Sequence, residues 1–231
     1  MSKFKLLPQW FKSKQKTKGC IVIVGNDVQQ LSQLFAEQVQ YDALPVYQLQ
    51  HDPIQTQPQI EAQAKGLIAV RLNLLDAAAL KSVIQQIHKA GHFVDLCIFQ
   101  PDFVLPENSQ RLSAEQLENY WQNTGLTAVS IAQAVIRQML SKQHGTLIFL
   151  GTQQPVESER DLFSQSLSAS IRALAQSLAR EFHPKGIHVV YCALSHWQSA
   201  NHALMQSLQQ TCWHLYQQPK STWSQELRLG L

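Results

Sequence analysis

Histidine and cysteine offer the most obvious chemistry in this chain, and their spacing argues against most of it. His183, His188, His196, His202 and His214 crowd toward the C-terminus. No two of them stand at metal-ligand spacing on one clear face of a helix or strand, so no zinc-type site is expected. No Gly-x-Ser-x-Gly turn presents a nucleophilic serine, which speaks against a hydrolase elbow. Cys20, Cys97, Cys192 and Cys212 are far apart and form no CxxC pair. They read as core thiols in a reducing compartment, not as disulfides or ligands. One stretch stands apart from these groups: Cys20–Gly25, CIVIVG, is a short, continuously apolar run that ends in glycine.

The elements that would position a site alternate regularly. Apolar runs at Cys20–Gly25, Leu44–Leu49, Gly66–Leu72, Phe93–Phe99, Thr146–Leu150 and Ile187–Leu194 predict strands, with a last strand within Trp223–Leu229. Helical periodicity covers Asp27–Val39, Asp76–Ala90, Ser113–Ser141, Asp161–His183 and Ala200–Gln217. Asp27 and Asp76 are placed as N-caps, and Ser113 with Gln116 forms a Ser-x-x-Gln capping box. Residues 50–65, QHDPIQTQPQIEAQAK, are polar with two prolines and predict loop with at most one helical turn. Unbroken apolar strands alternating with helices predict an α/β fold: a doubly wound parallel sheet of about seven strands with helices on both faces. Within Asp161–His183, Leu162, Ser166, Ala169, Ala173, Leu174, Ser177 and Leu178 recur near the helical period. They predict an apolar face of small side chains that can lie close to a sheet or to a twin helix.

Charge divides the chain. The net charge is +3, yet Lys3, Lys5, Lys12, Lys14, Lys16 and Lys18 lie in a stretch with no acid, leaving 13 basic against 16 acidic residues elsewhere. The body is therefore not a nucleic-acid binder by charge. Residues 1–19 form a basic N-terminal arm in which Phe4, Leu6, Leu7, Trp10 and Phe11 interleave with lysines, a pattern suited to weak contact with an anionic membrane surface or to an arm lying over the body. Residues 20–231 read as one domain with a large core. No signal peptide is recognised, no apolar run approaches the roughly eighteen residues needed to span a bilayer, and a cytoplasmic location is expected.

Several local stretches resemble the short-chain dehydrogenase/reductase family. ALAQSLAREFHPKGIHVVYCAL, Ala173 to Leu194, is similar to that family's passage from its active-site helix into the sixth strand. AVIRQMLSKQHGTLIFLG, Ala134 to Gly151, resembles its passage into the fifth strand, and WHLYQQPKSTWSQEL, Trp213 to Leu227, resembles the tail of one subgroup. The resemblance covers nearly all of residues 20–229 and implies a Rossmann-like fold binding NAD(P).

Carried over position by position, the family's chemistry is thin. Its Gly-x-x-x-Gly-x-Gly loop lets the backbone approach a pyrophosphate. Here that loop is GNDVQQL: Gly25 keeps the first glycine, while Gln29 and Leu31 replace the others and would obstruct the approach. Gln50, His51 and Asp52 stand where a ribose-gripping acid is expected, with Asp52 the candidate. Asn73 could still reach an adenine, and Asp76 beside it reads as a helix cap. Gln100-Pro101-Asp102 replaces the Asn-Ala-Gly turn, and Leu194-Ser195 stands near the family's Pro-Gly. The Tyr-x-x-x-Lys pair falls on Ser164 and Ser168, the catalytic serine on Gly151 with Thr152 next to it, and the helix asparagine on Asn123 or Thr124. A serine hydroxyl with no base beside it is a poor acid and a poor base near neutral pH.

The resemblance thus implies a non-catalytic member, a pseudoenzyme that acts by binding and uses no cofactor. Its expected partner is a second copy or a related family member, paired through the small face of the helix Asp161–His183. The alternative is a divergent NAD(P)-dependent oxidoreductase with a rearranged site, in which Ser164, Thr152 and Asn123 are the available groups.

Overall fold

The computed structural model describes residues 18–39, 44–63, 66–102, 113–152, 162–195, 197 and 200–230, with the backbone alone for 162–164. Eight strands form one sheet: β1 (Lys18–Val24), β2 (Val46–His51), β3 (Gln59–Ala62), β4 (Leu67–Leu72), β5 (His92–Phe99), β6 (Thr146–Thr152), β7 (His188–Leu194) and β8 (Glu226–Leu229). Their spatial order is β3-β4-β2-β1-β5-β6-β7-β8, and every pairing is parallel except β3 with β4. The helices are α1 (Gln29–Gln38), α2 (Ala77–Lys89), α3 (Ala114–Trp121), α4 (Thr127–Lys142), α5 (Leu162–Phe182) and α6 (His202–Gln217). The expected α/β sheet is therefore present, with one strand more than the sequence suggested.

That strand is β3, inside the stretch expected to be loop. It pairs antiparallel with β4, Ile60 opposite Val70, and is mostly exposed. An edge strand with one solvated face can be polar throughout, so it leaves little hydrophobic signal.

Alternate residues of the central strands feed two cores. Val22, Val24, Cys97, Phe149 and Tyr191 face α2, α4 and α5. Ile21, Ile23, Ile98, Leu150 and Cys192 face α1 and α6. Each fully buried Leu, Ile or Phe contributes roughly 1.5–3 kcal/mol relative to exposure. The four cysteines are buried and free, and burial pushes all four thiols up, so none is poised as a nucleophile.

The helix starts are partly as expected. Asp76 caps α2, accepting from the N–H groups of Ala78 (2.8 Å) and Ala79 (3.2 Å). Ser113 and Gln116 complete their capping box. Asp27 does not cap α1: the N-cap is Val28, with no side-chain bond, and the Asp27 carboxylate accepts from the Trp197 indole at 2.9 Å. The long helix expected over Ser113–Ser141 is one run broken in character, with a π turn at Gln122–Leu126 between α3 and α4.

The face assigned to α5 also changes. Leu167, Ser168, Ile171, Ala175 and Ala179 point inward, spaced at one side of the helix, whereas Ser166, Ala169, Ala173 and Ser177 are exposed. The C-terminal tail is clamped to the sheet by His188. Its ring stacks on Trp223 (4.8 Å, 3°), and Nε2–H donates to the Ser224 carbonyl at 2.8 Å. Glu226 of β8 takes bonds from Arg172 (2.9 Å) and Gln176 (3.0 Å) on α5, and these outweigh its partial burial to hold the carboxyl below its usual value.

Candidate functional site

In a doubly wound sheet, ligands bind outside the C-terminal ends of the strands, where the connections diverge to opposite faces. Here that edge is built from the turns after β1, β2, β4 and β5, the end of β6, the π turn and the first half of α5.

Gly25 follows β1 directly, at φ +155°, its N–H donating to the Leu49 carbonyl at 3.0 Å. A Cβ here would lie 2.5 Å from Gln100 Oε1 and 2.9 Å from both the Gln100 carbonyl oxygen and Val28 Cγ1. Two residues therefore crowd over it. Gln100 is 3% exposed; its Nε2–H donates to the Pro101 carbonyl, and its Oε1 is buried without a partner. Val28 is fully buried, a position the sequence reading did not single out. The two loop positions it did single out lie elsewhere. Gln29 is exposed, and Leu31, 0% exposed, points into the core between α1 and the sheet. A residue two past the helix start is carried by the 3.6-residue turn onto the inner face, away from the crevice.

His51 crosses the same edge. Its backbone N–H donates to Asn26 Oδ1 (3.0 Å), tying β2 to the turn after β1. Its Nδ1 accepts from the Leu74 N–H (3.1 Å), which leaves the ring proton on Nε2, facing Asn123 Oδ1 at 3.1 Å. The imidazole thus links the turn after β4 to the π turn, while the backbone of the same residue holds the turn after β1. Asp52, the acid considered for a ribose, instead accepts from the Ile54 N–H in its own turn (3.2 Å). Asn73 is likewise engaged locally: Oδ1 accepts from Leu75 N–H (3.0 Å) and Nδ2 donates to the Pro53 carbonyl (3.3 Å).

The π turn that presents Asn123 is held by hydroxyls. A wider turn frees carbonyls from the helical ladder. Thr124 Oγ1 donates to the Tyr120 carbonyl (2.6 Å), and Thr127 Oγ1 lies 2.8 Å from the carbonyls of Asn123 and Thr124. Asn123 itself is exposed, Thr124 is buried, and Gly125 lets the Trp121 ring close over the backbone, 3.1 Å from where a Cβ would be.

At the end of β6, a Cβ on Gly151 would lie 1.9 Å from the Tyr191 hydroxyl and 2.2 Å from its Cζ. The phenol of Tyr191, reaching across from β7, therefore occupies the space that any larger residue at 151 would need. Burial, only partly offset by Arg172, pushes that phenol up to about 12, so it is not prepared to exchange a proton near neutral pH. Next to it, Thr152 Oγ1 lies 3.3 Å from Ser168 Oγ, and Ser168 is buried. A cavity of about 10 Å³, room for one water, sits between Pro101, Asp102, Tyr120, Thr124 and Ser168. The backbone of Ser164 lies in the first turn of α5, and its side chain is outside the described residues.

The structure thus brings Thr152 and Ser168 together, and Gly25 and Gln100. It engages Asn123 through His51 and leaves Asn73 in its own turn. Val28 and Tyr191 are the members that the sequence did not point to, and neither carried a signal. His51 was placed at this edge beside Asp52, but its bonds to Leu74 and Asn123 were not foreseen. Among the described residues no three His, Cys, Asp or Glu side chains are grouped to hold a metal ion, and no helix is long and apolar enough to cross a membrane.

Comparison with known proteins places this edge in context. Over 129 residues the chain is 26% identical to a 3-oxoacyl-[acyl-carrier-protein] reductase FabG from Escherichia coli K12, and equally to one from Shigella flexneri. The match takes in 55% of this chain and 52% of theirs, so the chain spans about half the length of the curated relatives it matches. Among solved structures, a short-chain dehydrogenase from Rhodopseudomonas palustris has a TM-score of 0.70 at 19% identity, covering 93% of this chain and 99% of the other. An oxidoreductase of the short-chain dehydrogenase/reductase family from Brucella ovis, in complex with a partially ordered NAD, has a TM-score of 0.70 at 12% identity, covering 92% and 99%. At these identities the likeness shows the fold. Residues 14–208 match the short chain dehydrogenase family itself, and the chain belongs to that family.

Proposed function

We propose that this chain is a non-catalytic member of the family that acts by binding a protein partner and does not use NAD(P). The observation that carries this reading is the crowding over Gly25. A dinucleotide's pyrophosphate needs bare backbone at the strand–helix turn. Here the Gln100 side chain and Val28 already stand within 2.9 Å of where even a Cβ would go. His51, tied to Asn26, Leu74 and Asn123, closes the neighbouring part of the edge. These residues do not fit the cofactor. The hydroxyl pair of Thr152 and Ser168 supports the same reading, because among the described residues each hydroxyl meets the other and not a base.

The partner is a second copy of this chain or a related family member. The exposed small side chains of Ala169, Ala173 and Ser177 on α5 allow a second helix to approach closely. The tests are separate. Titration calorimetry with NADH and NADPH is expected to give no binding at submillimolar concentration, and a micromolar Kd for either would overturn the cofactor part. Light scattering after size exclusion is expected to give a dimer or larger species that Ala173→Glu dissociates. A strict monomer, alone and with candidate relatives, would overturn the partner part.

The competing reading is a divergent NAD(P)-dependent oxidoreductase. What favours it is the reductase activity for which the FabG relatives are named and the NAD in the Brucella ovis structure. On that reading Thr152 and Ser168 would be the groups nearest the reacting atoms, and the same titration decides between the two.

A further inference from the structure

Away from the strand ends, α2 and α4 lie side by side on one face of the sheet with a groove of about 490 Å³ between them. That volume is within the roughly 300–1,000 Å³ of small-molecule sites. The groove exists because of what joins the helices. Gln138 of α4 donates from Nε2 to the Ile84 carbonyl (3.3 Å) and accepts at Oε1 from the Val94 N–H (3.3 Å). An amide therefore bridges α2, α4 and β5 where interdigitated apolar side chains would otherwise draw the helices together. Of the α4 residues that line the groove, only Ala134 is apolar. The floor is apolar, from Leu80, Ile84 and Ala134, and runs from Ala77 to His88, about 16 Å at the helical rise.

The rim is cationic. Lys81, Arg137 and His88 line the groove, no carboxylate does, and neither Lys81 nor Arg137 is paired with a carboxylate among the described residues. An apolar trough with cations at its edge selects a molecule with a long apolar tail and an anionic head. We propose that the α2–α4 groove is a binding site for a free aliphatic carboxylate, its chain on Leu80, Ile84 and Ala134 and its head held by Arg137, whose planar fork matches a carboxylate. Charge argues against the other occupants. A second copy docked by a two-fold axis through this face would set Lys81 and Arg137 against their own like. The chain's own first eighteen residues carry six lysines and no acid. The site is independent of the strand-end reading, since it shares none of those residues.

The test is calorimetric titration of the full chain with dodecanoate below its micellar concentration, beside dodecyltrimethylammonium of the same tail. One dodecanoate per chain is expected, with no comparable binding of the cation. Arg137→Glu, at an exposed position, is expected to weaken dodecanoate at least tenfold. Ala134→Phe, which fills the trough, is expected to abolish binding with circular dichroism unchanged. Equal binding of both amphiphiles, or full affinity in Arg137→Glu, would overturn the proposal. So would failure of dodecanoate alongside Arg137-dependent capture of an acidic amphipathic peptide, or a dimer in light scattering that Ala134→Phe breaks.

Discussion

Gly151 gives the sharpest quantitative test of how this site is packed. Replacing it with alanine adds one carbon that would lie 1.9 Å from the Tyr191 hydroxyl, 2.2 Å from Cζ and 2.5 Å from Cε2. Ordinary contact begins at 3.4 Å, so the phenol must retreat by about 1.5 Å. It cannot do so freely: Tyr191 is 3% exposed, anchored in β7, and packed in the same core as Ile171 and Ala175 of α5. Overpacking a tight core costs about 1–3 kcal/mol, and a displacement of this size belongs at the upper end. For a chain of this length that is roughly 6–12 °C in Tm, at about 2–4 °C per kcal/mol. Tyr191→Ala alone should cost about 3–5 kcal/mol through the cavity it leaves. In the double variant the clash is gone, so Gly151→Ala should add almost nothing, a coupling of about 3 kcal/mol of opposite sign. Urea melts followed by circular dichroism measure all four corners of the cycle. Gly230→Ala, with nothing within 4 Å of the new carbon, is the neutral control. If Gly151→Ala is as mild as that control, or the two substitutions add within about 0.5 kcal/mol, the packing argument fails.

Three further outcomes are expected. Asp76→Ala removes the acceptor for two N–H groups at the start of α2 and should cost about 1 kcal/mol, read in the same melts. His188 and His92 both have their pKa lowered, first by burial, so the folded chain binds fewer protons than the unfolded chain just below the ordinary histidine range. Stability should therefore be flat above about pH 7 and fall as pH drops below about 6.5. His188→Gln should lessen that slope, and melts that are level down to pH 5 would contradict it. His51→Ala and Asn123→Ala should each cost about 1 kcal/mol and should couple, since each removes the other's partner. Full additivity would mean that the 3.1 Å contact carries no energy.

The fold was legible because its signals are local and periodic. Continuous apolar runs marked the six strands that line the core, and Asp76 and the Ser113–Gln116 box announced their helices. β3 was not legible, because a polar edge strand looks like loop until its neighbour is known. The side of α5 was misread for a related reason. Alanine and serine carry too little hydrophobic weight to distinguish a buried stripe from an exposed one, and the decisive residues were Leu167 and Ile171. The candidate site was half legible. Position along the chain located Gly25, Gln100, Gly151 and Ser168 at the strand ends, but could not say which side chain fills which space. Leu31 turned inward, and the residues over Gly25 proved to be Gln100 and Val28. His51 finds its partners 25, 23 and 72 positions away, and no sequence window joins them.

Two places along the strand ends follow one rule: a residue without a side chain is matched by a large one reaching in from a neighbouring element. Gln100 covers Gly25, and the Tyr191 phenol covers Gly151. Protein interiors keep crystal-like density, so space not held open for a ligand must be filled by the chain itself. Under the binding reading, this is what separates a site that has been closed from one that merely lacks catalytic groups. On that reading, restoring a tyrosine and a lysine at 164 and 168 would not by itself restore chemistry, because Gln100 and Val28 would still stand against Gly25. Gln100→Ala paired with the same NADH titration makes the point measurable. A closed site should gain weak binding once the carboxamide is removed, whereas a divergent but working site should already bind and lose nothing.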